Sequence, residues 1–184
     1  KEIAPLVSQM DESETPNPSL ISKIFDMGLM AIEVPEKYGG SGGSFFQAIL
    51  AIEALAQVDP SISVFVDVQN TLIANALIKW APENIKAKYF PQMAKNRVSS
   101  YCLTEANSGS DAFALKTSAV DKGTHYELNG KKIFITNAKE ASLFLVFANI
   151  NPDLGYKGIT AFLVDKELGG VSLGRKESKL GIRA

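Results

Sequence analysis

The chain has 184 residues, 46% apolar and 21% charged, a composition typical of one globular domain or two small ones that excludes a disordered or collagen-like chain. Its 19 Lys and Arg residues nearly balance its 20 Asp and Glu residues, so no strong field favours binding to nucleic acid or to an anionic membrane. A single cysteine, Cys102, and a single histidine, His125, exclude an internal disulfide and a four-ligand Cys/His zinc site, and suit a reducing compartment.

The first part of the sequence predicts helices. Apolar residues at helical spacing predict a first helix over 3–10. Residues 1–5 resemble neither a secretory signal nor a transit peptide, so we expect any targeting segment to be absent here. Asn17 before Pro18 is a typical N-cap followed by the residue best suited to the first helical position, which predicts a second helix that ends near Gly28.

A glycine-rich segment, 39–43, is too flexible to be a helix or a strand. It lacks the Lys-Ser/Thr ending of a P-loop and the spacing of a dinucleotide fingerprint, so the sequence favours a connecting loop over a phosphate loop. Ser44 then predicts the N-cap of a third helix.

Asp59-Pro60 repeats the cap-and-proline pattern and opens a long apolar run, from Ile62 to Trp80, that predicts a central buried helix. The most apolar stretch is shorter than the roughly 18 residues that span a bilayer, because polar residues interrupt it, so we expect no membrane span. Those residues, Asp67, Gln69 and Asn70, need hydrogen-bond partners on neighbouring helices, or else they line a cavity. Pro82-Glu83 predicts a last short helix that ends at Pro91.

After Ser99 the pattern changes to short strands, which are predicted over 100–103, 112–120, 126–128, 132–136, 142–149, 158–165 and 171–173. Asn129-Gly130 predicts a type I′ hairpin between two of them. The sequence therefore predicts an α+β chain in which an N-terminal helical domain, 1–97, is followed by a middle antiparallel β-barrel or sandwich domain, 98–184.

Hydrolytic chemistry has little support in this sequence. The only imidazole, His125, lies beside a predicted turn, and Cys102 lies in a predicted strand as a small apolar residue, so neither forms a nucleophile and base pair. The segment 101–111 is more informative, because a strand leads into a loop of small hydroxylated residues whose amides and hydroxyls could form a nest for phosphate oxygens. A plain structural turn explains the same composition.

Three motifs carry a resemblance to a known family: 101–111 (YCLTEANSGSD), 129–137 (NGKKIFITN) and 155–164 (GYKGITAFLV). In this order and at these separations they closely resemble the acyl-CoA dehydrogenase family, and 33–40 and 179–184 extend the resemblance over the whole chain. Within the family the chain is most similar to enzymes that act on short, 2-methyl-branched acyl thioesters. The resemblance implies a mitochondrial matrix enzyme of fatty-acid and branched-chain amino-acid catabolism, a homotetramer that uses FAD and passes electrons to electron-transfer flavoprotein.

The resemblance also implies roles for individual residues. Residues that match flavin-binding positions are Tyr101, Leu103, Thr104, Gly109, Ser110, Phe134, Ile135 and Thr136. Ser110 and Tyr156 match positions that contact acyl-CoA, and 68–73 matches the helix that lines the acyl pocket. Two residues depart from the family pattern: Phe134 replaces a tryptophan, and Asn107 replaces a glycine, where we expect a strained left-handed turn.

The family's catalytic glutamate has no match in this sequence, because Glu105 matches an acidic residue of the loop and not the base. The resemblance implies that the base belongs to a C-terminal helical domain beyond Ala184, and that these 184 residues alone are inactive and hold FAD weakly. The alternative, from another functional class, is a non-catalytic module that binds acyl-CoA or a protein partner.

Overall fold

A computed structural model describes all 184 residues, which divide into two compact units: residues 1–99 with 174–184, and residues 100–173. The C-terminal segment belongs to the first unit, where Arg183 pairs with Glu14 (Nε to Oε1, 3.2 Å) and with Asp11. The chain is therefore helical in its first unit and contains a β-sheet in its second, which confirms the predicted α+β class.

Five helices build the first unit: α1 (Val7–Ser13), α2 (Pro18–Asp26), α3 (Phe45–Ala56), α4 (Pro60–Trp80) and α5 (Glu83–Lys95). The predicted caps are confirmed. The Asn17 side chain accepts from the Ser19 N–H, the Asp59 side chain accepts from the Ser61 N–H, and Ser44 forms a reciprocal capping box with Gln47. Local sequence thus determines where these helices begin.

Helix α4 is the core of the first unit, and its middle turns, Val68–Ala74, are π-helical. Gln69 and Asn70 are fully buried there and have partners, as the first of the two alternatives predicts. Asn70 accepts from the Ile32 N–H at 2.8 Å and donates to the Leu29 carbonyl at 2.8 Å. By length and composition α4 could cross a membrane, contrary to the sequence expectation, but 61% of its apolar window is buried inside the protein, as in a core helix.

Helix α5 continues past Pro91 to Lys95, so the prediction that Pro91 ends it is wrong. A proline inside a helix costs about 3 kcal/mol. The helix nevertheless continues because Phe90 and Met93, on either side of the proline, are fully buried, and each such side chain contributes about 1.5–3 kcal/mol. Tertiary packing thus outweighs the local signal.

The sheet contains five strands: β1 (Ser99–Cys102), β2 (Ser118–Asp121), β3 (Tyr126–Asn129), β4 (Leu143–Asn149) and β5 (Ile159–Asp165). The order is β1-β4-β2-β3, and β5 pairs with β4 along seven residues, from Leu143↔Asp165 to Asn149↔Ile159. The pairs β4–β5 and β2–β3 are antiparallel, whereas β2 meets β4 in parallel at Ser118↔Asn149. The structure is therefore a mixed sheet and not the closed barrel or antiparallel sandwich that the sequence predicts.

Two of the seven predicted strands do not form. Residues 132–136 and 171–173 are irregular, and 112–120 begins with a short helical turn before the strand starts at Ser118. The predicted Asn129-Gly130 hairpin is also wrong, because β3 pairs back with β2 through the turn 122–125. Gly130 is needed for another reason: a Cβ there would lie 2.2 Å from the Thr117 Oγ1.

Candidate functional site

Two segments that carry most of the predicted site residues run side by side in the second unit. The Ile133 N–H donates to the Thr104 carbonyl at 2.9 Å, and the Ser100 hydroxyl donates to the Thr136 carbonyl at 2.8 Å. These bonds fix the segment after β1 against 132–136. The structure therefore brings together five of the predicted residues: Leu103, Thr104, Phe134, Ile135 and Thr136.

A buried ion pair connects the same two segments. The Lys132 ammonium donates to the Glu105 carboxylate at 2.7 Å and to the Leu103 carbonyl at 3.0 Å, and both charged side chains are about nine-tenths buried. The Glu105 carboxylate also accepts from the Lys116 N–H (2.7 Å), from the Thr117 N–H (3.0 Å) and from the Thr117 hydroxyl. Every oxygen of this carboxylate thus has a charged or backbone donor.

These donors decide the protonation state of Glu105. Burial by itself raises the pKa of the carboxyl group, but the hydrogen bonds from Lys132, Thr117 and the Lys116 backbone outweigh burial and lower the pKa to about 2. A carboxylate that is this weakly basic and fully occupied does not suit proton abstraction near neutral pH. Glu105 is a structural anion and not a general base.

Phe134 combines backbone strain with exposure. Its φ is +56°, in the left-handed region that bulky side chains rarely adopt, and its side chain is 70% exposed. Neither property helps the core, and strained residues cluster at ligand sites. The left-handed backbone here and at Asn137 (φ +64°) also explains why 132–136 does not form the predicted strand.

Several hydrogen-bond donors of the two segments and of the loop after Glu105 have no acceptor within the protein. The hydroxyls of Thr104, Ser110 and Thr136 make no hydrogen bond within the protein, and neither do the exposed amides of Gly109 and Ser110. A Cβ added at Gly109 would meet nothing within 4 Å. Asn107 does not have a positive φ, so the expected strained turn at this position is wrong.

Tyr101 and Cys102 are the last two residues of β1. The Tyr101 ring lies 5.0 Å from the Phe147 ring, and burial raises the pKa of its phenol. Burial also raises the pKa of the Cys102 thiol to about 12, which agrees with a buried apolar role and not with a nucleophile. Tyr101 therefore supplies an aromatic surface next to Leu103 and Thr104, with its hydroxyl protonated at neutral pH.

Tyr156 forms an aromatic pair with Phe113, and neither residue takes part in the hydrogen bonds described above. Its ring is 5.3 Å from the Phe113 ring, and the two side chains are 59% and 68% exposed. Exposed aromatic pairs favour binding of flat or apolar groups. Sequence reasoning missed Phe113, and it missed Lys132 and the use of Glu105 as an anchor, because each depends on contacts with residues distant in sequence.

Known proteins match the whole chain. Residues 1–97 match the model of the acyl-CoA dehydrogenase N-terminal domain, and residues 100–184 match that of the acyl-CoA dehydrogenase middle domain. The mitochondrial short/branched chain specific acyl-CoA dehydrogenase of Rattus norvegicus is 50% identical over all of this chain and 43% of its own length. A probable short/branched chain specific acyl-CoA dehydrogenase of Dictyostelium discoideum is 51% identical, over 45% of its length.

Solved structures agree with these relatives. Butyryl-CoA dehydrogenase from Megasphaera elsdenii is 34% identical with a TM-score of 0.94, over 100% of this chain and 49% of that one. A chain in a structure of the electron transferring flavoprotein of Acidaminococcus fermentans is 38% identical with a TM-score of 0.94, over 98% of this chain and 48% of that one. The chain thus spans less than half the length of each of these four proteins.

Proposed function

Because the chain belongs to the acyl-CoA dehydrogenase family, we propose that it provides the N-terminal (1–97) and middle (98–184) domains of an FAD-dependent dehydrogenase of short or 2-methyl-branched acyl-CoA. The proposed reaction introduces a double bond between the α and β carbons of the acyl group. The identity of about 50% with short/branched chain specific enzymes supports this substrate class.

The observation that carries the proposal is the alignment of 103–104 with 132–136. It leaves the Thr104 and Thr136 hydroxyls without partners within the protein, next to an exposed and strained Phe134. A planar ring with hydrogen-bond acceptors along one edge fits such a surface, because its face can contact the aromatic side chain while its edge accepts from the donors. The residues present therefore fit a flavin.

In this proposal the Leu103 amide and the Thr104 hydroxyl donate to the pyrimidine edge of the flavin, which favours negative charge there. Tyr101, Phe134 and Ile135 provide contact surface, and Thr136 lies near the reacting nitrogen. The chemistry that bound FAD supplies is acceptance of a hydride from the substrate β-carbon. Gly109 and Ser110 hold the pyrophosphate through their free amides.

The substrate contacts in this proposal are Ser110 and Tyr156. The open surface at Ser110 and the exposed ring of Tyr156 support them. Glu105 is committed to Lys132 and Thr117, so we propose that the base that removes the α-proton comes from a part of the enzyme outside these residues. On their own the 184 residues then bind FAD weakly and do not turn over.

Three further properties belong to the proposal. The mitochondrial rat and Bos taurus relatives support a mitochondrial matrix location, although bacterial relatives are similar too. The neighbour from the Acidaminococcus structure supports electron-transfer flavoprotein as the electron acceptor. A homotetramer follows from the family resemblance.

A substrate panel tests the proposal. The natural gene product that contains these residues is purified, loaded with FAD and mixed without oxygen with butyryl-, isobutyryl-, 2-methylbutyryl- or palmitoyl-CoA. We expect loss of the oxidised flavin absorbance with 2-methylbutyryl-CoA and, more weakly, with butyryl-CoA, and no change with palmitoyl-CoA. Binding of acyl-CoA without bleaching by any of the four thioesters would favour the non-catalytic binding module.

A further inference from the structure

The buried pair of Glu105 and Lys132 lies where the two flavin-facing segments meet. Lys132 precedes Ile133 and Phe134 in one segment and donates both to the Leu103 carbonyl and to the Glu105 carboxylate. Glu105 follows Thr104 in the other segment and also accepts from the backbone of Lys116 and Thr117. One carboxylate thus ties three stretches of backbone together.

Stability alone gives a weak reason for such a pair. Moving two charges out of water is costly, and well-packed apolar residues of the same volume usually serve a core as well or better. What the pair provides is defined geometry, because charged hydrogen bonds fix both distance and direction. The geometry fixed here is the spacing of Leu103 and Thr104 from the segment that contains Phe134.

We propose that Glu105 and Lys132 are positioning residues that set the spacing of the two adjacent backbone segments that contact the flavin. This inference rests on the proposed function, since it assigns the pair to the same cofactor. The pair does not touch the reacting atoms in this role. It acts through the Leu103 amide, the Thr104 hydroxyl and the Phe134 ring, whose relative positions depend on it.

Three variants separate positioning from folding. Lys132→Met removes the cation but leaves the Glu105 charge buried, and it is expected to destabilise the protein. The double variant Glu105→Gln/Lys132→Met is neutral, of similar volume, and keeps one oxygen as acceptor for the Thr117 donors, so we expect it to fold even if Lys132→Met does not. Lys131→Met is the matched control, because Lys131 is the exposed neighbour and makes no ion pair.

Each variant is made in the natural gene product that contains these residues and is titrated with FAD. The measurements are the dissociation constant, the visible circular dichroism of bound flavin and the unfolding temperature without flavin. We expect the double variant to bind FAD at least about tenfold more weakly and to give an altered flavin spectrum, while Lys131→Met matches the wild type. A lower unfolding temperature with unchanged affinity and spectrum would reduce the pair to a stabilising role and overturn the inference. If the wild-type natural gene product bound no FAD, the proposed function would be contradicted, and this inference with it.

Discussion

The Gln69 side chain accepts a hydrogen bond from the Ser99 N–H at 2.9 Å and donates to the Arg97 carbonyl at 2.9 Å, although thirty residues separate Gln69 from Ser99. The π-helical turn of α4 thereby holds the backbone at the first residue of β1. π-Helical turns often occur at functional positions. Here the turn carries the buried side-chain amide of Gln69, which forms hydrogen bonds with backbone groups outside α4.

Replacement of Gln69 by leucine leaves the buried Ser99 N–H without this acceptor. Because an unsatisfied buried group costs about 1–3 kcal/mol, we expect the free energy of unfolding to fall by about 1–3 kcal/mol. Urea unfolding followed by circular dichroism measures the change. The same substitution at the exposed Gln57 is the control and should have little effect; equal losses at the two positions would contradict the role of Gln69.

Acid should lower the free energy of unfolding, in part because Glu105 becomes protonated. Its pKa is lowered from 4.5 to about 2 in the folded state, so its contribution is fully present above pH 4.5 and is lost as the pH falls towards 2. The full shift corresponds to a contribution on the order of 3 kcal/mol. The difference in unfolding free energy between wild type and Glu105→Gln should therefore shrink from pH 6 to pH 3. A difference that stays constant over this range would show that Glu105 does not titrate as described.

The close approach of Gly130 to Thr117 predicts a steric effect. Gly130→Ala places a Cβ 2.2 Å from the Thr117 Oγ1, and overpacking of this kind costs about 1–3 kcal/mol. Gly174→Ala is the matched control, because a Cβ there meets nothing within 4 Å and its φ is not positive. Thermal unfolding should show a loss only for the Gly130 variant, and equal unfolding temperatures would refute the contact.

Replacement of Phe134 should raise the free energy of unfolding and weaken FAD binding. Asparagine tolerates a left-handed backbone better than phenylalanine does, and the exposed ring gives up little buried area, so Phe134→Asn should raise the unfolding free energy by about 0.5–1 kcal/mol. The same variant should weaken FAD binding, because the aromatic contact is lost. Phe46→Asn, an exposed position in α3 with ordinary helical backbone, should not stabilise. A Phe134 variant that is less stable than wild type would contradict the strain.

The parts of the fold that the sequence predicts correctly are those that local chemistry determines. The caps at Asn17 and Ser44 satisfy backbone donors two or three residues away. The continuation of α5 past Pro91 is not local, since it depends on burial of Phe90 and Met93 by other helices. The short-range signal of Asn129-Gly130 likewise fails because β3 pairs with β2 through the turn 122–125, and 131–136, after Gly130, contains no strand.

In the candidate site, too, features that depend on contacts between distant residues are not predicted from local sequence. Motif resemblance predicts flavin contacts for Leu103, Thr104 and Phe134, which remain a prediction, whereas periodicity predicted a strand over 132–136, where the structure has a strained irregular segment. The pattern of alternating residues could not reveal that the backbone at Phe134 is left-handed. Nor could it reveal the Lys132 bonds to Leu103 and Glu105, which join residues more than 25 positions apart in sequence.

Titration of FAD with the purified natural gene product that contains these residues, followed by quenching of flavin fluorescence, tests the central claim most directly. The account predicts saturable quenching that Thr104→Val weakens, because that variant loses a hydroxyl donor at constant shape. Thr124→Val, at an exposed turn in the same unit, should leave the titration unchanged. Absence of saturable quenching, or equal affinity in the wild type and the Thr104 variant, would contradict a flavin site built on these two segments.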